Sequence, residues 1–423
     1  MRTPIEHSQK RLLWGIVACV MGAFFYCYEF VLRIVPGALQ SELCEAFGNI
    51  SAATFGQIAA MYYFAYSPMQ FPVGMLMDRF GPRRLLTFAC LCCTLGSTIF
   101  GYSNSLLVVS FGRFLVGLGS SFAFVGVLSL ALHWLPRRYF SLVTGLVTTL
   151  AMLGVVYGEV KITELTVRFG LHEVLGLLVL IGAVLSGLIF LMVKDGSDSH
   201  PVHSDSISVF LRQVWQVLIS SEVWLIGFVG ACLYTSLSVF GELWGKSYLE
   251  QAHHLNKIDA ARAISMMFLG WAVGAPIAGF LSDWSARRVL PIVIGALMSF
   301  ICISTILYCQ NLSFFMLNLL LFFYGVFSGT EIIVFIMAKE NTRSLVSGTV
   351  FAAVNMIVSL VGAIFQPLIG FLLDMFGNGR VLGEEHFYAA HDYQLALSII
   401  PLSLLMVILL SFFLKDADSR HDA

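Results

Sequence analysis

Charge is what this chain has little of. Only 12% of its 423 residues are Asp, Glu, Lys or Arg, against 58% hydrophobic residues. A soluble domain carries about 25% charged residues, so an ordinary water-soluble globular protein is excluded. The net charge of -1 leaves no basic excess for gripping nucleic acid, and no nucleic-acid partner is expected. Nine cysteines are an odd number, and they fall mostly inside apolar runs in neither a disulfide nor a metal-ligand spacing. A cleavable signal is not expected either, because the apolar stretch after Lys10 and Arg11 runs for about 23 residues, too long for a signal core. One stretch, Gly241-Glu242-Leu243-Trp244-Gly245-Lys246-Ser247, imitates a phosphate-binding loop. It has one residue too few between its glycines and no strand before it, so neither nucleotide hydrolysis nor any cofactor is implied.

What the chain has instead is apolar runs of about 20 residues, the length that crosses a bilayer as a helix. Twelve such helices are expected, beginning near Leu13, Ala53, Leu85, Leu106, Leu142, Glu173, Glu222, Ala263, Leu290, Leu312, Val346 and Leu395. The fold class is an all-α membrane protein of two six-helix bundles, residues 13–193 and 222–414. Residues 1–12, 194–221 and 415–423 are left as an N-terminal segment, a linker and a tail. The linker begins Lys194-Asp195-Gly196-Ser197, which no bilayer core accepts, and Ser206 to Val217 is expected to form a short interfacial helix. With the N-terminus in the cytoplasm, Lys and Arg divide 16 to 8 in favour of the cytoplasmic side, with Arg137 and Arg138 among the sixteen. Both termini are therefore expected in the cytoplasm, in a multi-pass protein of the inner membrane.

A glycine-led turn joins the second and third helices: Gly74-Met75-Leu76-Met77-Asp78-Arg79-Phe80-Gly81-Pro82-Arg83-Arg84. About half a chain later comes its echo, Gly279-Phe280-Leu281-Ser282-Asp283-Trp284-Ser285-Ala286-Arg287-Arg288. A repeat at that spacing indicates that one half was built twice. Twelve helices in two repeats with this motif between helices 2 and 3 resemble the major facilitator superfamily. The resemblance implies a conformational role for Gly74, Asp78, Arg79, Gly81, Arg83 and Arg84, and for Asp283, Arg287 and Arg288 in the echo. Asp78 would sit at the positive end of helix 11 and lock the bundles together on the cytoplasmic side, while Gly74 and Gly81 would permit close packing and a tight turn. A second resemblance opens helix 4, Arg113-Phe114-Leu115-Val116-Gly117-Leu118-Gly119; in proton-coupled members that arginine lines the cavity. Helix 5 departs from the drug exporters of the superfamily: Gly154-Val155-Val156-Tyr157-Gly158-Glu159 carries an acid where they carry proline.

Ionised side chains inside a bilayer cost about 2.5–3.5 kcal/mol each unless they face a partner or a cavity. At about 1.5 Å of rise per residue, Glu29, Arg33, Arg113 and Glu159 fall at about one level, roughly 7 to 13 Å beyond the midplane. Glu29 and Arg33 are four apart, on one helix face. They form either a structural ion-pair network or a site for a ligand with charges of its own. Tyr26, Tyr28, Tyr234 and Tyr324 lie on helices 1, 7 and 10, and Glu331 on helix 10 is a gate or a ligand contact. Glu242 and Lys246 read as a rim pair at the end of helix 7, and Asn355 and Gln366 as glue between helices.

The expectation is a monomeric secondary transporter in the lipid bilayer, moving a small zwitterionic or anionic metabolite (amino acid, dipeptide or carboxylate) with protons as the coupling ion. The stretch from Tyr26 to Pro36 is similar to phagosomal amino-acid transporters and lysosomal dipeptide carriers. An exporter of a siderophore or metabolite is the alternative, and a non-transporting sensor the reading from another class, although the longest polar stretch is only about 25 residues. An enzyme is not expected, since no nucleophile–base pair lies within the helices.

Overall fold

The fold is taken from a computed structural model that describes residues 4–136, 139–194, 207–309, 311–342, 345–377, 381–382 and 385–416. Nearly all of these are helical. The first half of the chain forms α1 (Pro4–Ala38), α2 (Ala52–Phe80), α3 (Pro82–Tyr102), α4 (Leu106–Trp134), α5 (Phe140–Phe169) and α6 (Leu171–Met192). The second half forms α7 (Ser221–Ala252), α8 (Lys257–Ser285), α9 (Val289–Tyr308), α10 (Phe314–Asn341), α11 (Ser347–Phe376) and α12 (Ala390–Ser411). Eleven of these are long and apolar enough to cross a membrane. The remaining one, α2, has 29 residues, and its Tyr62, Tyr63 and Gln70 are buried against other helices. The short interfacial helix is present at Ile207–Leu218. Residues 195–206 of the linker, the tail from 417, and Arg137 and Arg138 lie outside the described residues.

Two helices begin earlier than their apolar runs. Asn256 caps α8 by accepting from the Ile258 and Asp259 amides at 3.1 and 2.9 Å, so the helix starts at Lys257 and not near Ala263. Asp392 likewise accepts from the Ala389 amide at 2.8 Å and starts α12 at Ala390. Capping residues are polar, so hydropathy alone trims them off.

The duplicated turn is built differently in the two halves. Gly81 ends α2 and starts α3 with φ of 80°, a left-handed conformation that suits glycine, and Pro82 takes the first helical position. In the echo Ala286 occupies the same region, at φ of 50°. There Arg288 is knitted into its own half: it bonds Glu340 at 2.7 and 3.0 Å and Asp283 at 2.5 Å. Its hydrogen bonds to Glu340, and then to Asp283, hold the Arg288 guanidinium above its ordinary pKa. In the first half, Asp78 and Arg79 are exposed, and Arg83 donates to the Phe190 carbonyl oxygen at 2.9 Å. The end of α4, which reads His133-Trp134, offers no acid equivalent to Glu340.

The halves meet along the helix pairs α2 with α11 and α5 with α8, and also where the end of α1 meets α7. The antiparallel pair α2/α11 is closed from the face opposite the termini to beyond its middle. Asp374 at the end of α11 accepts from the Ala52 and Ala53 amides at 3.1 and 3.0 Å. A carboxylate thus sits on the positive end of α2. Further along, Gly56 abuts the Gln366 backbone, Ser67 bonds Ser359 at 2.8 Å, and Asn355 donates to Gln70 at 2.8 Å. Beyond Gln70 no hydrogen bond joins α2 to α11 among the described residues. A Cβ on Gly74, on Gly348 of α11, on Gly145 of α5 or on Gly279 of α8 would meet nothing within 4 Å. The α2/α11 contact is therefore tied by hydrogen bonds toward the far face, while these four glycines toward the termini face are open. The expected lock of Asp78 onto α11 is not engaged, and Gly74 makes no close packing in this state. Among the described residues no hydrogen bond joins Asp78 to α11.

The far face is also tied by Glu42, in the short helix Gln40–Ala46, which accepts from Lys257 of α8 at 2.6 Å. Burial raises the Glu42 pKa, but the hydrogen bond and charge of Lys257 outweigh it and hold the carboxyl below its ordinary value. The bridge is thus kept above the ordinary carboxylate range and lost only as pH falls below it.

Asp374→Asn removes the charge from the end of α2 and is expected to open the far face in a measurable fraction of molecules. Spin labels at Glu45 and His254, both exposed, read this out by electron–electron resonance in a cysteine-free background. An unchanged distance distribution would show that the Asp374 contact does not hold the seal.

Candidate functional site: a buried charge network between the halves

Close helix packing builds the site. On α4, Gly112, Gly117 and Gly119 press against the backbones of Gly96, Tyr62 and Ala89, so no side chain fits between α4 and its neighbours α2 and α3. That contact sets Arg113 of α4 beside Tyr62 of α2, the guanidinium 5.2 Å from the ring centroid. Between the halves, Gly37 near the end of α1 meets the Glu242 backbone of α7 with no room for a Cβ. α7 is not regular at this point. Residues Ser236–Trp244 form a π-helix, a widened turn that costs regular hydrogen bonding and is common where a helix serves a site.

At the centre is Arg33 of α1. Its Nη2 donates to both Glu29 oxygens, at 3.1 and 3.3 Å. Its Nε donates to the Tyr62 hydroxyl at 3.0 Å, and that hydroxyl donates to Glu29 Oε2, also at 3.0 Å. Its Nη1 crosses to the second half and donates to the Tyr234 hydroxyl at 3.2 Å, with Glu242 Oε1 4.0 Å away. Tyr234 donates to Glu242 at 3.4 Å, and Tyr63 of α2 donates to the other Glu242 oxygen. One guanidinium therefore stands between two carboxylates, one from each half, with three tyrosines completing the circuit. All six residues are buried. Arg33 also lies 4.2 Å from the Phe30 ring centroid, which backs the guanidinium with a negative π face.

The remaining expected residues fall around this core in different ways. Arg113 donates Nη1 to the Leu32 carbonyl oxygen at 3.1 Å, and its buried Nε has no partner. Tyr26 packs edge-on to Phe30 at 5.0 Å and against Phe124 at 5.3 Å, outside the hydrogen-bonded circuit. Tyr28 donates to the Leu178 carbonyl oxygen inside the first half, and Tyr324 is fully buried. Glu331 sits where α10 tightens into a 3-10 turn, Gly329–Ile332, and is 5% exposed. Asn355 bridges the halves through Gln70, whereas Gln366 bonds the Ser238 carbonyl oxygen within the second half.

Two placements differ from the axial-depth expectation. Glu159 is buried, but the charges acting on it are Lys246 and Glu250, not Glu29 or Arg113. Lys246 lies 3.7 Å from Glu250 and donates to the Ala38 carbonyl oxygen across the halves. This is a second charged group nearer the far face. Glu242 and Lys246 are not a rim pair, because both are buried and the π-turn sends them to different partners. Tyr62 and Tyr63 are the residues that hydropathy does not single out. Tyr62, Tyr66 and Gln70 recur at helical spacing on α2, and that polar stripe is the sequence signal for Tyr62.

Comparison with known proteins places this architecture. Three relatives align with it in sequence. The lysosomal dipeptide transporter MFSD1 of Danio rerio is 23% identical over 96% of this chain and 88% of its own. The probable galactarate/D-glucarate transporter GarP of Escherichia coli K12 is 20% identical over 95% and 94%. The probable sulfoacetate transporter SauU of Cupriavidus necator is 22% identical over 66% of each chain. A solved structure, a bacterial homolog of the human lysosomal transporter Spinster in an inward-facing and occupied conformation, superposes with a TM-score of 0.76 at 14% identity, covering 94% of this chain and 96% of that one. The profile of the Major Facilitator Superfamily matches residues 14–365. With the duplicated turn and a match over most of its length, this chain belongs to the Major Facilitator Superfamily.

Proposed function

We propose that the protein is a secondary transporter that carries a small anionic or zwitterionic metabolite across the inner membrane by alternating access, with protons as the coupling ion. The cargo is an amino acid, a dipeptide or a carboxylate. The observation that carries this reading is Arg33, bonded to Glu29 of its own half and to Tyr234 of the other, 4.0 Å from Glu242. A purely structural ion pair has no need to reach across the surface along which the halves must part.

The chemistry follows from counting charges. Glu29, Glu242 and Glu331 against Arg33 and Arg113 leave one negative charge in excess if all are ionised. An uncompensated charge at this depth is expensive, so one bound proton balances the group. Protonating Glu29 also frees an Arg33 N–H from its carboxylate. A cargo carboxylate can take that place, so that proton and cargo enter together. When both leave, Arg33 again needs both acids, and the halves draw together around it. The alternation of sealed and separated faces follows from the two helix pairs, α2/α11 and α5/α8, which touch along only part of their length. With the termini in the cytoplasm, as the Lys and Arg bias suggests, the state described here opens inward. The relatives named above support the cargo class, since dipeptides, galactarate, glucarate and sulfoacetate all carry a carboxylate.

The test is uptake into proteoliposomes under an inward proton gradient, with labelled amino acids, dipeptides, galactarate and sulfoacetate. At least one is expected to accumulate, and a protonophore to abolish the accumulation. If none does, the transporter reading of this site falls. With the cargo in hand, Glu29→Gln is expected to keep exchange of cargo across the membrane but to lose gradient-driven accumulation. Full accumulation by both Glu29→Gln and Glu242→Gln would exclude these acids as proton carriers. Arg33→Lys keeps the charge but loses the planar fork that meets four oxygens at once, and is expected to lower transport about 100-fold. Near-normal transport by that variant would remove Arg33 from the centre of the mechanism.

A further inference from the structure

A groove apart from the central charges opens on the outside of the α5/α8 contact, with a volume of about 620 Å³. That is within the span of small-molecule pockets, about 300–1,000 Å³. α5 lines it with Leu153, Val156, Tyr157 and Val160, α8 with Met266, and α10 with Phe314. Tyr157 is exposed where Glu159, two positions on, is buried. At about 100° per residue the two lie on nearly opposite faces of α5, so the groove opens toward the bilayer and not toward the interior. From Lys161 down to Leu153 α5 covers about 12 Å, most of the roughly 15 Å of hydrocarbon in one leaflet. Polar groups in the wall are satisfied by their own helices: Ser265 donates to the Arg262 carbonyl oxygen at 2.7 Å, and Asn318 to the Phe314 carbonyl oxygen at 2.6 Å. The far-face end is charged, and Lys161 and Arg262 both line it. Lys161 donates to Glu164 at 2.5 Å, Arg262 donates to Asp259 at 3.1 Å, and Arg262 Nη2 lies 3.8 Å from Glu164, across the halves. Two bases and two acids therefore stand at the head of an apolar groove whose walls come from both halves.

We propose that this groove holds a phosphatidylethanolamine of the far leaflet, with one acyl chain along α5, its phosphate on Lys161 and Arg262, and its ammonium group on Glu164 and Asp259. A lysine carries three N–H donors and an arginine five, and the ion pairs here use only part of them. A phosphate can therefore be added without breaking those pairs. The acids decide the headgroup. A basic pocket suits an anionic lipid, but here a phosphate with no cation of its own would bring its charge beside Glu164 and Asp259. Choline balances the charge, but its methylated nitrogen has no N–H to donate. A primary ammonium does both. Because the groove is built by α5 of one half and by α8 and α10 of the other, it is whole only while these helices stay together. A lipid that binds this arrangement alone stabilises it. This lipid site is independent of the cargo and of the coupling ion.

Native mass spectrometry of the full chain tests this, with the protein released from nanodiscs that hold phosphatidylethanolamine, phosphatidylcholine and phosphatidylglycerol in equal amounts. Phosphatidylethanolamine is expected to be retained about tenfold over each of the others, the worth of one hydrogen bond to a charged group. In Lys161→Gln/Arg262→Gln its retention should fall to that of the others. In Glu164→Gln/Asp259→Asn the preference over phosphatidylcholine should be lost. Val160→Trp leaves every rim charge in place but fills the groove, and is expected to lower phosphatidylethanolamine retention as well. Spin labels at Glu45 and His254, read in phosphatidylcholine nanodiscs with and without phosphatidylethanolamine, should show a larger closed fraction when it is present, and no response in Val160→Trp. Should the variants fail to elute as folded protein, the lipid series on the unaltered protein decides by itself. Equal retention of the three lipids would mean ordinary annular lipid and overturn the assignment. Preferential retention of phosphatidylglycerol would overturn it too, because the acids at the rim would then not select the headgroup. Retention unchanged in Val160→Trp would remove the acyl chain from the groove.

Discussion

A guanidinium kept dry between two carboxylates is the constraint on which this structure depends. The bilayer supplies no water to such a group, so Arg33 needs Glu29, Tyr62, Tyr234 and the nearby Glu242 in place at once. Those partners come from both halves of the chain. The requirement for electrical neutrality therefore becomes a requirement on how the halves sit, and this links the charge state of the site to the shape of the molecule.

The helices are shaped to meet it. Where α4 crosses α2 and α3, glycines remove side chains and bring backbones into contact, which sets Arg113 and Tyr62 together. Where α7 passes the end of α1 it widens into a π-turn, and where α10 carries Glu331 it narrows into a 3-10 turn. The irregular stretches of the second half thus coincide with its two central acids. Irregular backbone is tolerated at membrane depth where other protein surrounds it, and here both stretches are buried.

How much of this was legible beforehand follows from what a linear pattern records. The apolar runs and the duplicated glycine turn were enough for the fold, because crossing a bilayer demands length and apolarity, and both are written residue by residue. Glu29 and Arg33 were legible as a pair, because four residues along a regular helix bring side chains to one face. Glu159 was misplaced because rise along a helix gives depth but not direction. It turns to Lys246 and Glu250 instead, nearer the far face. Glu242 was read as rim because regular spacing was assumed through a segment that is a π-helix. The polar caps of α8 and α12 were trimmed because hydropathy discards the residues that begin helices. The motif places Asp78 on α11, but a motif does not record which of two states the chain adopts, and among the described residues no hydrogen bond joins Asp78 to α11 here.

The contact between Asp374 and α2 has one more consequence. Its donors are the main-chain amides of Ala52 and Ala53, which every residue but proline supplies. The two sides of this latch are therefore unequal in heredity: α2 contributes main chain, while α11 contributes a single carboxylate, to which Tyr388 also donates. Loss of this one contact by drift passes more readily through Asp374 than through the amides of α2.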